Sequence, residues 1–148
     1  MRNSGSTFEY AKERNEDIMR AYVAQIQSSD VIKLPVVLDR VVNTPTKRFW
    51  VSPERAAIVV SRIIKGDSLI EMRPPRREMF FEIYRRVKLL RKDDPSASLY
   101  SLVFRVVQEP APKFYLTPGS AKVIIHRVKK EWYERNKQRL YRLRYSQL

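Results

Sequence analysis

A chain of 148 residues has room for one compact domain or two very small ones, and 43% hydrophobic residues is too many for a disordered basic tail. Its 30 Lys and Arg against 16 Asp and Glu leave a formal charge of +14, and the absence of Cys excludes disulfide frameworks, thiolate metal sites and thiol catalysis. No apolar run approaches the roughly 18–20 residues of a membrane span, and the opening MRNSGSTFEYAKERNED is too polar for a secretory signal or transit peptide. The expectation is a soluble, cytoplasmic protein with no membrane attachment, whose surplus charge seeks a polyanion, nucleic acid first.

In chain order, the first expected helix covers 7–27, where Ala11, Ile18, Met19, Tyr22 and Ile26 share one face. Ser6 with Glu9 reads as a capping box at its start. A short helix follows at 34–42, with Leu34, Val37, Leu38 and Val41 on its buried side. The next segment is a loop ending in Ser52-Pro53, a hydroxyl at the N-cap and a proline at N1. The third helix covers 53–65, and Gly66 stops it. Residues 67–75 form a linker closed by Pro74-Pro75.

The pattern then returns. Met79, Phe80, Ile83, Val87 and Leu90 mark a helix at 75–92, and Leu99, Leu102, Val103 and Val106 a short one at 98–107. Thr117-Pro118 opens the last helix, and with no later Pro or Gly it is expected to reach about residue 145. Shifted by 65 residues, 38–65 lies over 103–130 without a gap, and nine of the 28 pairs are identical, among them Phe49/Phe114 and Pro53/Pro118. Average residue usage would give about two. IVVSRII and KVIIHRV are rich in β-branched residues and would pass as strands by propensity, yet the hydroxyl–proline starts favour helix. RFWV and KFYL stay open between loop and short paired strands. The fold expected is all-α: two tandem tri-helical, helix-turn-helix-like repeats (1–66 and 76–148, linker 67–75) packed as one pseudo-symmetric domain with a long basic C-terminal helix.

The charge is uneven. Residues 1–74 hold 12 basic and 9 acidic side chains, whereas 75–148 hold 18 and 7. One cluster runs through Arg73, Arg76, Arg77, Arg85, Arg86, Lys88, Arg91 and Lys92. The other, on the last helix, is Arg127, Lys129, Lys130, Arg135, Lys137, Arg139, Arg142 and Arg144, interleaved with Trp132, Tyr133, Tyr141 and Tyr145. A solvated helix face mixes signs, but after Glu134 no acid occurs. Such a surface suits phosphates.

In a helix-turn-helix protein the second short helix enters the major groove, which gives Arg55, Arg62, Lys122 and Arg127 candidate contacts. The connection before the third helix is longer than the usual three or four residues. Trp50 and Tyr115, beside Lys47, Arg48 and Lys113, also fit a single-strand stacking site, while Phe49 and Phe114 read as core plugs. No phosphate loop, zinc-protease or nucleophile-elbow motif is present. Asp93-Asp94 reads as a turn rather than a metal site, and His126 lacks the Arg at 129 that a recombinase His-x-x-Arg needs, Lys129 standing there.

The strings RFWVSPERAAIVVSR, REMFFEIYRRV and APKFYLTPGSAKVIIHR resemble a group of small basic helical proteins of gut-type anaerobic bacteria and their temperate phages. The resemblance implies a mobile-element setting and no site residues. The function expected is a non-enzymatic DNA-binding accessory protein, regulator or architectural factor, with no cofactor or metal and with a possible protein partner on the first repeat. The alternatives are an RNA or single-strand binder using the aromatic-plus-basic loops, and a phage structural or assembly protein.

Overall fold

Apolar residues spaced three and four apart wind the chain into six helices: α1 (Gly5–Ser28), α2 (Leu34–Val42), α3 (Pro53–Ile64), α4 (Pro74–Asp93), α5 (Leu99–Val107) and α6 (Pro118–Tyr145). The computed structural model describes the backbone of residues 5–145 and the side chains of residues 10–144, so the expected Ser6–Glu9 capping box lies outside the described side chains. All six helices fall where the spacing places them, within a residue or two. Among the described residues, RFWV and KFYL do not form strands. The only β contact there is a single antiparallel bridge between Thr46 and Ala111.

The hydroxyl–proline helix starts form as the sequence dictates. Ser52 Oγ accepts from the Arg55 N–H at 3.1 Å, and Thr117 Oγ1 accepts from the Ser120 N–H at 3.1 Å. Each satisfies a donor that the first turn would otherwise orphan. The β-branched α3 is a helix because its buried residues, Ala56, Val59, Val60 and Ile63, follow the helical period, while Ile58 and Ile64 are exposed. It ends at Gly66, whose φ of 100° lets the Gly66 N–H reach Ile63 O at 2.9 Å and the Asp67 N–H reach Arg62 O at 3.0 Å. A methyl group at Gly66 would meet nothing within 4 Å, so Gly66→Ala strains only the backbone. That substitution is expected to cost about 1 kcal/mol, read as a lower urea midpoint with an unchanged m-value.

The helices do not pack as two consecutive triplets. α3 packs against α4 and α5, and α6 packs against α1 and α2. Each bundle therefore takes two helices from one half of the chain and its third from the other. One core joins Val59, Val60 and Ile63 of α3 to Phe80, Ile83 and Val87 of α4 and Leu102, Val103 and Val106 of α5. The second joins Ile18 and Ala21 of α1, Val37, Leu38 and Val41 of α2, and Ile124 and Ile125 of α6. The expected helix-turn-helix pairing of α2 with α3 is thereby corrected, because the two helices lie in different bundles.

The physical reason lies in the loops. Residues 43–52 and 108–117 cross, and positions related by the 65-residue shift bond reciprocally. Thr46 and Ala111 exchange N–H···O bonds of 2.9 and 3.2 Å; Phe49 N donates to Val107 O at 3.0 Å, and Phe114 N to Val42 O at 2.9 Å. A connection of ten residues is long enough to deliver its helix to the other bundle. Phe49 and Phe114 are buried, as core plugs should be, and each plugs the bundle of the opposite half. Even the segment between α3 and α4 contributes, since Leu69 is fully buried and its N–H donates to Asp67 Oδ1 at 2.8 Å.

Candidate nucleic-acid interface

α6 has two parts with different chemistry. Its first three turns bury Ala121, Ile124 and Ile125, with Val128 packed against the same core. The last anchor is Lys129, whose ammonium sits 4.5 Å from the Tyr22 ring centroid and donates to Tyr22 Oη at 2.8 Å. Beyond it, every described side chain is exposed except Asn136, whose Nδ2 donates to the Trp132 carbonyl at 2.9 Å. Over residues 130–144 stand Lys130, Arg135, Lys137, Arg139, Arg142 and Arg144 against Glu131 and Glu134. Among the described residues, none of these side chains enters a salt bridge.

At about 100° per residue, Trp132, Tyr133, Asn136, Leu140 and Leu143 form one stripe along this free helix. Lys130, Lys137 and Arg144 make a row on one flank, and Arg135, Arg139 and Arg142 a row on the other. Glu131, Glu134 and Gln138 face away from the stripe. Trp132 and Leu140 are 60% and 66% exposed, and neither belongs to a core cluster among the described residues. Lys122 and Arg127, nearer the packed end, are also exposed.

Part of the other basic cluster is paired from within, whereas Arg73, Lys88, Arg91 and Lys92 are exposed and enter no salt bridge among the described residues. Glu82 receives Arg85 through two bonds of 2.9 and 2.7 Å and Arg86 at 2.8 Å, which holds its carboxyl below the usual carboxylate range. Arg86 also reaches Glu109 at 3.1 Å and Pro110 O at 2.9 Å, lying 4.9 Å from the Phe49 ring centroid. Lys113 bonds Glu78 at 3.0 Å. Arg62 is held by Glu71 and by Asp67 at 2.9 Å, and these bonds raise its pKa. Arg77 donates to Ser68 O at 2.7 Å. Arg62, Arg85, Arg86 and Lys113 thus work as internal ties in the free protein.

The aromatic pair also has a structural job. Tyr115 is buried and stacks on Phe49 with centroids 6.0 Å apart, which corrects its expected role as an open stacking platform. Burial, then the nearby Glu82 and Glu78, push its phenol up to about 12. An unfolded tyrosine titrates near 10, so between about pH 10 and pH 12 the native state keeps a proton that the unfolded state has lost. Stability therefore falls as pH rises through that window. An ultraviolet titration should show one phenol ionising well after the exposed tyrosines, and Tyr115→Phe should remove that late step.

Trp50 is half-buried beside Tyr10, with centroids 6.4 Å apart. Arg48 lies 4.2 Å from the Tyr10 ring centroid and donates to Phe49 O and Val51 O, each at 3.0 Å, so it ties the crossing loop. The Lys47 side chain is exposed, and its backbone N–H donates to the buried Asp17 at 3.1 Å. Arg55 and Arg76 are both half-buried. Arg76 shares a small cleft with Tyr10, Arg14, Trp50 and Tyr115. Arg14 and Tyr10 were not singled out from sequence, because nothing local to α1 announces that α4 and the loops close over them.

No family model, curated protein or solved structure matches this chain. Among the described residues, no group of three or more His, Cys, Asp or Glu side chains is placed to hold a metal ion, and no helix is long and apolar enough to cross a membrane.

Proposed function

We propose that the protein binds duplex DNA through the free part of α6, as an accessory factor of regulatory or architectural type that catalyses no reaction. The observation that carries this reading is the double row of exposed cations, none engaged in a salt bridge among the described residues, on a helix that has left its core. A major groove about 12 Å wide admits one α-helix, and its walls are two phosphate backbones. Rows at 130/137/144 and 135/139/142 face those walls, while the two acids point out of the groove. The stripe then meets the base edges. Asn136 sits at its centre, an amide of the kind that pairs with adenine.

Fluorescence anisotropy against duplex DNA, single strands, structured RNA and anionic vesicles, each across a salt series, tests the proposal. The expected result is tightest binding to duplex, with log K falling against log salt at a slope of about −5 if the six cations each release counterions. Absence of duplex binding at low salt, or a preference for vesicles or RNA, would overturn it. The internal ion pairs of Arg62, Arg85, Arg86 and Lys113 predict that those four add little to that slope.

A further inference from the structure

The cleft where α1, α4 and the two crossing loops meet has a volume of about 120 Å³. Two arginines line it, and neither has a carboxylate partner among the described residues. Arg14 reaches only its neighbour's amide oxygen, Asn15 Oδ1, at 3.4 and 3.2 Å. Arg76 has only the Phe80 ring, 5.2 Å from its guanidinium carbon. The Trp50 ring lines the same cleft, while its indole Nε1 is buried and has no hydrogen-bond acceptor among the described residues.

The further an arginine is withdrawn from water, the more its charge calls for an anion beside it. Here the charged groups that act on the two arginines are more cations: Arg127 on Arg14, and Arg55 on Arg76. Burial first, and these cations second, draw both guanidinium pKa values down. Packing alone does not account for two guanidinium groups gathered at one cleft with no carboxylate beside them among the described residues. The arrangement is complementary to an oxyanion, because arginine forks match phosphate oxygens and a desolvated charge-assisted bond is strong.

We propose that this cleft binds a single phosphate group. Arg14 and Arg76 pair with its oxygens, and the Tyr10 and Trp50 rings flank the ester substituent. The volume suits this ligand, since pockets for drug-sized molecules start at roughly 300 Å³. Either a free phosphate monoester or the terminal phosphate of a nucleic-acid strand would present the same chemistry. The inference does not rest on the reading of α6, because no side chain of residues 130–144 lines the cleft.

The chain has two tryptophans, so the full-length Trp132→Phe protein reports on Trp50 alone. Titration with inorganic phosphate at constant ionic strength, and with adenosine 5′-monophosphate, should give a saturable change in its emission. Arg14→Gln and Arg76→Gln should each weaken that binding at least tenfold. Both should melt no lower than the parent without phosphate, since each relieves an uncompensated charge. Oligonucleotides with and without a 5′-phosphate distinguish the sources: a tenfold preference for the phosphorylated strand assigns the cleft to strand ends, and equal binding assigns it to the free monoester. A phosphate response that does not saturate, or one unchanged in both arginine variants, would overturn the proposal. Duplex binding is measured on Arg14→Gln and Arg76→Gln made with Trp132 retained, since Trp132 belongs to the α6 stripe. Its loss with an intact phosphate titration, or the reverse, tells a failure of the α6 reading from a failure of this one.

Discussion

Truncation after Glu134 should lower affinity for duplex DNA by about 100-fold near 0.1 M salt and flatten the salt dependence by about 4 units, with folding retained. The deleted stretch carries Arg135, Lys137, Arg139, Arg142 and Arg144, all exposed and outside every salt bridge among the described residues. Each phosphate neutralised contributes about 0.9 to the slope. The bundles lose nothing, because α6 contributes no core residue beyond Val128. The measurement is therefore a pair: anisotropy over a salt series, and a thermal melt of the same proteins. An unchanged affinity with an unchanged melt would show that these cations are not the interface.

Separating the chain at the α3–α4 connection should be more drastic for stability. Residues 1–66 and 67–148, made as two polypeptides, should each lack a cooperative melt, and mixing them should restore it. Without 1–66, the α4–α5 bundle loses Phe49, Val59, Val60 and Ile63. Burying a side chain of this size contributes roughly 1.5–3 kcal/mol, so these four together represent about 6–12 kcal/mol. That is the whole stability of an ordinary domain. Without 67–148, the α1–α2 bundle likewise loses Phe114, Ile124 and Ile125. Circular dichroism of each half and of the equimolar mixture reads the result. A cooperative melt of monomeric 1–66 alone would contradict the exchanged packing.

The two experiments mark the border between what was legible in the chain and what was not. Helix positions were legible because their causes are local: apolar spacing, a hydroxyl before proline, Gly66 at a position that needs positive φ. Which bundle each third helix joins was not. Ala56, Val59, Val60 and Ile63 present nearly the same apolar face as Ala121, Ile124, Ile125 and Val128, so the pattern suits either bundle equally. The bridge between Thr46 and Ala111 decides between them, and it involves residues 65 apart.

The basic residues divide the same way. An acid three or four residues away, as Glu82 is from Arg85 and Arg86, is visible in sequence and marks a cation as spoken for. The pairs Arg62–Glu71, Lys113–Glu78 and Arg86–Glu109 depend on turns and helix crossings that spacing does not reveal. Tyr115 and Trp50 occupy matching positions and look alike as stacking rings. Only the fold lays one on Phe49 and buries the other's N–H with no acceptor among the described residues.

By itself, then, the sequence determined six helices, the Ser52 and Thr117 caps, the Gly66 stop, and a terminal stretch of α6 with no acid after Glu134, because those follow from periodicity, backbone chemistry and composition. Tertiary structure decided the exchange of α3 and α6, the pairing of Arg86 with Glu109 and of Lys113 with Glu78, and the small cleft between α1 and α4. Each of these depends on which surfaces meet across the crossing loops, and two nearly equivalent halves leave that choice open until the loops have crossed.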